Sequence, residues 1–167
     1  MKKRSIIVAG LAIGACVVLI TGCGFFGGQE ETYTYWEPAV SPDGSTLAYE
    51  STTDSSIELF TMDLATNTER RLTNNEYTDW SPAWSPDGSR IAFVSSRDKN
   101  VDIYMLDVAT LDIVRLTSHE ADDINPDWGV DGRVYFNSNR SDTWEVYSVN
   151  PETLDLRKVT SLETTSP

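Results

Sequence analysis

A period of 44 residues runs through the chain from Tyr35 onward, and it restricts the fold more than any local motif does. The segments WEPAVSPDGSTLAYESTTDSSIELFTMDLATNTERRLT (36–73), WSPAWSPDGSRIAFVSSRDKNVDIYMLDVATLDIVRLT (80–117) and INPDWGVDGRVYFNSNRSDTWEVYSVNPETLDLRKVT (124–160) align along their whole length. Pro38, Pro82 and Pro126 mark the same point in each copy, as do Gly44, Gly88 and Gly132. The closing threonines Thr73, Thr117 and Thr160 fall 44 and then 43 residues apart, because the third copy lacks one residue after its Asp-Gly. Such units bury their apolar residues only by stacking on one another.

Each copy reads as four short strands. In Pro86-Asp87-Gly88, proline presets φ, aspartate bonds nearby backbone, and glycine accepts the positive φ of a tight hairpin. In the next strand Ile91 and Phe93 point to one side and Ala92 and Val94 to the other; in the third, Ile103 and Met105 oppose Tyr104 and Leu106. A sheet apolar on both faces has to lie between other sheets, as a propeller blade does. The last strand alternates, with Ile113, Arg115 and Thr117 on one side and Val114 and Leu116 on the other, which suits an outer edge guarded by charge. No segment has a helical period. The expected class is all-β, with three four-stranded propeller-type blades at about 35–79, 80–123 and 124–167.

PAWSPDG, IAFVSSR, DIYMLD and RLT, in that order, resemble the repeat of TolB-like β-propellers, a relative of the WD-type blade, and the likeness covers nearly all of residues 35–167. The resemblance implies a rigid scaffold with envelope proteins, such as other lipoproteins, as partners. Similar blades also serve as gating domains of prolyl-oligopeptidase-type peptidases and as bodies of some saccharide lyases. The pattern breaks where Gly129-Val130 replaces Ser-Pro and where Thr52-Thr53 stands in place of Ser96-Arg97. Arg97 and Arg140 are expected to be structural, each pairing with a turn aspartate or a carbonyl. Propellers close with about four to eight blades, so three leave two apolar blade faces to be covered. A second copy could complete a six-bladed ring, another protein could be borrowed, or the chain is a shortened relative or fragment; the sequence does not choose.

Before the repeats, MKKRSIIVAGLAIGACVVLITGC has a basic start, an uncharged apolar run from Ile6 to Ile20, and small residues ahead of a cysteine, the pattern of a secretory signal over residues 1–22. Ile20-Thr21-Gly22-Cys23 resembles the bacterial lipobox, which implies lipidation of Cys23 and a tether over 23–34. Cys16 is a rival site behind a shorter apolar run, and an uncleaved anchor is a further alternative, although such a run falls short of the roughly 20 residues that span a bilayer. Cleavage before Cys23 removes three of 13 basic residues and none of 26 acidic ones, which takes the formal charge from −13 to −16. That body repels nucleic acid and anionic headgroups, and with one cysteine left it has no disulfide to rely on. Gly24 after the cysteine points to the outer membrane facing the periplasm where there are two membranes, and to the outer face of the cytoplasmic membrane where there is one.

Catalytic signals are weak. His119 is the only histidine, and no Gly-x-Ser-x-Gly elbow is present. The plainest carboxylates, Asp43, Asp87 and Asp131, repeat at turns, whereas an active site needs its groups once. Asp98 to Asp102 (DKNVD) opens like a calcium loop but lacks its glycine and distal glutamate. The counterparts of its acids, Asp54 and Glu58 in the first copy and Ser141 and Glu145 in the third, suggest a recurring acidic connection between strands, and no metal or cofactor is expected. Loops NNEYTDW (74–80) and SHEADDI (118–124) remain. Glu76, Tyr77, Asp79, Trp80, His119, Glu120, Asp122 and Asp123 form a candidate binding rim at a channel mouth, suited to a basic protein segment or cationic ligand. Glu76 and Asp79 recur as Glu120 and Asp123, which equally fits a role in the repeat itself. The expected function is non-enzymatic: a lipid-anchored envelope scaffold that binds a protein, with an accessory to an envelope peptidase or saccharide-processing enzyme as the alternative.

Overall fold

The computed structural model describes residues 35–53 and 56–160, with the backbone of 7–8 and 18–19, where β1 (Ile7–Val8) pairs antiparallel with β2 (Val18–Leu19). The rest of the signal segment, Cys23, the tether and Asp54 lie outside the described residues. Three four-stranded antiparallel sheets follow, and no helix occurs among the described residues. Blade 1 contains β3 (Tyr35–Val40), β4 (Thr46–Thr52), β5 (Ile57–Asp63) and β6 (Thr68–Arg71); blade 2 contains β7 (Asp79–Trp84), β8 (Arg90–Asp98), β9 (Asn100–Asp107) and β10 (Ile113–Arg115). Blade 3 contains β11 (Asp123–Trp128), β12 (Val134–Ser138), β13 (Glu145–Val149) and β14 (Leu156–Lys158). Each sheet is a meander in chain order, and blades 2 and 3 each open on the strand that packs against the blade before.

The turn chemistry is as its residues dictate. Gly44, Gly88 and Gly132 sit at φ 73°, 72° and 77°. The Asp87 carboxylate accepts the Ser89 N–H at 3.0 Å and the hydroxyls of Ser85 and Ser89 at 2.6 and 2.8 Å, and Asp43 does the same for Ser41 and Ser45. These bonds hold both carboxyls down at about 2. In the third copy the Gly129 N–H reaches Arg133 four residues on, where Ser85 reaches Arg90 five residues on, so the loop is one residue shorter. A Cβ on Gly129 would stand 2.6 Å from the Tyr135 ring, which explains why serine is not kept there.

Period-2 alternation sorts the core. Ile91, Phe93, Tyr104 and Leu106 pack with Ala48, Leu59 and Leu72 of blade 1, while Ala92, Val94, Ile103 and Met105 pack with Val134, Phe136, Tyr147 and Val149 of blade 3. At roughly 1.5–3 kcal/mol for each large side chain fully buried, these two interfaces are the main cohesive force. The Trp84 indole N–H adds a bond to the Ala39 carbonyl across the first interface at 3.0 Å.

Two expectations need correction. The outer strand does not alternate through Thr117: it ends at Arg115, and Leu116 and Thr117 are both buried, because the Thr117 hydroxyl turns inward to accept the Ile103 N–H at 3.0 Å. The open face of blade 3 is also only partly apolar. By the β12–β13 register it carries Tyr135, Asn137, Val146 and Ser148 where blade 2 has Ala92, Val94, Ile103 and Met105. Blade 1 keeps apolar residues at its outward-facing positions, with Leu47, Phe60 and Met62 half-buried and Val40 57 % exposed.

Candidate functional site

Most of the carboxylates that recur with the repeat hold blades together. Glu58, Asp102 and Glu145 occupy one position on the third strands and are buried, not in connecting loops as the sequence suggested. Each meets a cation and a threonine from the outer strand: Arg71 at 3.2 Å and Thr73 at 2.5 Å, Arg115 at 2.5 Å and Thr117 at 3.3 Å, Lys158 at 3.2 Å and Thr160 at 2.6 Å. The recurring basic-x-Thr is thus a clasp that fastens the last strand, and the exposed end of each arginine or lysine guards the edge. The calcium-like stretch is consumed in the same way, since Asp98 and Asp102 both face Arg115 and Asp98 also takes the Tyr104 hydroxyl. Burial pushes the Asp102 carboxyl up against the opposing pull of Arg115.

Asp79 and Asp123 leave the candidate rim for the same reason. Both are 0 % exposed, at the first residues of β7 and β11. Arg97 bonds both oxygens of Asp79 at 3.0 Å while its guanidinium lies over Phe93 and Tyr104; Arg140 holds Asp123 at 2.8 and 2.9 Å over Phe136 and Tyr147. Ser95 completes the first cluster at 2.5 Å. A carboxylate whose two oxygens share one guanidinium nitrogen, with that guanidinium lying over aromatic rings, is a joint between strands, and the arginines are structural as expected.

The meander places 74–78 and 118–122 at one end of the blades, together with the β4–β5, β8–β9 and β12–β13 connections. There Glu76 and Glu120 are exposed and neither takes a hydrogen bond or ion pair from the described residues. Tyr77 is 48 % exposed. His119 accepts the Ala121 N–H on Nδ1 at 3.0 Å, which leaves its Nε2 outward. Asp122 is half-buried, with its backbone tied to Asn139. Trp80 is half-buried and packs against the core shared by blades 2 and 3. The residues of the candidate rim that the structure leaves at this end without a structural role of that kind are Glu76, Tyr77, Trp80, His119, Glu120 and Asp122.

Beside it lies a feature the sequence reasoning missed. At the repeat positions of Val94 and Asn137, blade 1 has Glu50, and where blades 2 and 3 have Ser81 and Asn125 it has Glu37. The innermost strands bulge here, with Glu37, Ser81 and Asn125 at φ 42°, 52° and 54°. The bulge aims the Ser81 N–H at Glu50 Oε2, 2.7 Å away, while the Ser81 hydroxyl bonds Glu37. Glu50 is 6 % exposed, and burial, with the Glu37 charge adding to it against the Ser81 bond, pushes its carboxyl up to about 7. A cavity of about 460 Å³ opens beside it, lined by Glu50, Ile57, Thr78, Trp80 and Ser96. The signal was in the alignment, because Glu50 and Glu37 are acids that do not repeat. Among the described residues no group of three or more His, Cys, Asp or Glu is placed to hold a metal.

Three blades of four meandering strands, stacked through apolar faces, define an arc of a β-propeller. Residues 29–166 match the TolB beta propeller domain, and the chain belongs to that family. No curated protein matches it. Among solved structures, TolB from Acinetobacter baumannii superposes with TM-score 0.70 at 22% identity over 89% of this chain and 38% of its own. A protein from Agrobacterium tumefaciens assigned as TolB gives 0.72 at 24% over 89% and 55%, and a puromycin-hydrolyzing peptidase from Mycobacterium tuberculosis gives 0.65 at 18% over 87% and 23%. At these identities the likeness is one of fold. The chain spans 38% and 55% of the two TolB proteins it matches.

Proposed function

We propose that the chain is an exported, lipid-anchored and non-enzymatic scaffold whose blade arc presents the 74–78 and 118–122 loops to a basic segment of another envelope protein. The observation that carries this is the contrast among its acids. Those at Asp79, Asp102 and Asp123 are spent on internal arginines, whereas Glu76 and Glu120 stand exposed and unengaged on a rigid frame beside Tyr77 and His119. A rim of one sign on a body of the same sign speeds and orients encounter with a cation-rich partner. Cys23, as the lipidated residue, would tether the body to its membrane, and the open blade faces would be covered by a second copy.

Three comparisons test the proposal. Capture from envelope extract by the full chain is set beside polysaccharide depolymerisation and peptidase assays: selective, salt-sensitive capture with no turnover supports a scaffold, and turnover would favour the enzyme accessory. Lipid labelling should survive Cys16→Ala and vanish in Cys23→Ala. Sedimentation at rising salt should show a dimer, and a monomer throughout would remove the second copy.

A further inference from the structure

The acid that breaks the repeat has no structural work comparable to that of its repeated neighbours. Asp79, Asp102 and Asp123 each face an arginine; Glu50, also buried at 6 % exposed, faces none among the described residues. Only its Oε2 is engaged, by the Ser81 N–H, and its Oε1 takes no bond from the described residues. At the next interface the same position is Val94, and Val101 and Ile124, the counterparts of Ile57 and Trp80, pack with it into the core. The first interface keeps a cavity of about 460 Å³ there instead.

The cavity wall is two-natured. Ile57 and the Trp80 ring supply apolar surface, and the carboxylate of Glu50 lies among them. Neither the Thr78 hydroxyl nor the Trp80 indole N–H has a partner among the described residues, so the wall offers polar atoms unused by the fold. A guest with an aliphatic stem and a compact, positively charged head satisfies both parts. The stem lies on Ile57, the head meets Glu50 and the ring face of Trp80, and an anion or a neutral polar guest would leave the buried carboxylate uncompensated. Thr78, on the cavity wall, is the last residue of the 74–78 loop, so the cavity lies at the end of the blades that carries the candidate rim.

We infer that the junction of blades 1 and 2 is an ammonium-binding pocket, built around Glu50, Trp80, Ile57 and Thr78, that takes the side chain of a lysine presented by a basic protein segment. This deepens the proposal above and rests on it for the source of the lysine, while the pocket's chemistry stands by itself. Glu37 reinforces the site from the other side of Ser81, because it shares that serine with Glu50 and adds negative charge.

The test titrates the full chain in detergent with n-pentylamine and with its neutral isostere n-pentanol at pH 8, read by calorimetry and by tryptophan fluorescence. Saturable binding of pentylamine, weakened at least roughly tenfold in Glu50→Gln and in Trp80→Leu, is expected, with little binding of pentanol. Equal binding of amine and alcohol, or a Glu50→Gln chain that binds pentylamine as tightly as the parent, overturns the pocket. Glu50→Gln keeps the shape and the Ser81 bond, and Trp80→Leu removes the ring without touching the acid, so loss of folding in one leaves the other decisive. Reversing the rim with Glu76→Lys and Glu120→Lys should abolish capture of the protein partner yet leave pentylamine binding within about twofold. Capture that survives this reversal refutes the rim without bearing on the pocket.

Discussion

Replacing Glu50 by glutamine should make the protein more stable, and by an amount that depends on pH. In the folded chain burial holds this carboxyl at about 7 against 4.5 when solvated. A folded-state value above the unfolded one means that the folded chain binds the proton more tightly. Stability is therefore full below about 4.5 and falls as pH rises through about 7. The gap corresponds to about 3.4 kcal/mol at 1.36 kcal/mol per pH unit, and water in the open cavity reduces this to about 2 kcal/mol. The glutamine side chain keeps an oxygen for the Ser81 N–H and never ionises. Urea denaturation of parent and Glu50→Gln between pH 4 and 8 should give curves that nearly coincide at the acid end and separate by about 2 kcal/mol at pH 8, the variant being the more stable. Subtracting one curve from the other removes groups common to both, including Asp102, whose carboxyl burial also pushes up. A constant offset, or a variant less stable at pH 8, would refute the assignment of Glu50 as a buried, uncompensated acid.

Further outcomes follow from the turns, the interfaces and the joints. Gly88→Val should cost about 1–2 kcal/mol more stability than Ser89→Val, seen as a lower urea midpoint, because φ is 72° and the site is otherwise open, with only Pro42 in ordinary contact at 3.7 Å; equal midpoints would show the turn misassigned. Trp84→Phe should cost about 1 kcal/mol more than Trp128→Phe, since the Trp84 N–H bonds Ala39 across the interface whereas the buried Trp128 N–H has no partner among the described residues; the reverse order in thermal melts would contradict the interface bond. Arg97→Met should cost about 3 kcal/mol by leaving Asp79 buried without its cation, and adding Asp79→Asn should recover part of that loss. Additive costs in the double variant would mean that the pair is not coupled.

The blades were legible because three copies of one pattern expose their own grammar. Proline, aspartate and glycine at fixed offsets gave the hairpins, and period-2 alternation in RIAFVSS and DIYMLD separated the side chains into the two sets that pack on the two neighbouring blades, although not which set meets which blade. The acids were legible only in part. Asp79 and Asp123 stand before Trp80 and Ile124 in what reads as a polar loop, and nothing local says that β7 and β11 begin there or that Arg97 and Arg140, eighteen and seventeen residues on, close over them. Glu58, Asp102 and Glu145 read as loop acids because a buried carboxylate is expected only beside a cation, and Arg71, Arg115 and Lys158 lie on a different strand. The principle that a functional group occurs once was available from the repeats, and Glu50 and Glu37 satisfied it. They escaped notice because the bulge that points the Ser81 N–H at Glu50 depends on a positive φ before proline, which residue type alone does not announce.

On the function proposed here, the loop end bearing Glu76 and Glu120 is the surface that meets a partner. Photo-crosslinking amino acids placed singly at Glu76, at Glu120 and, for the opposite end of the blades, at Ala65 and Ala109 test it in intact cells. Adducts of one common larger mass are expected from positions 76 and 120 and none from 65 and 109. Adducts arising only from 65 and 109, or none from any of the four, would contradict it.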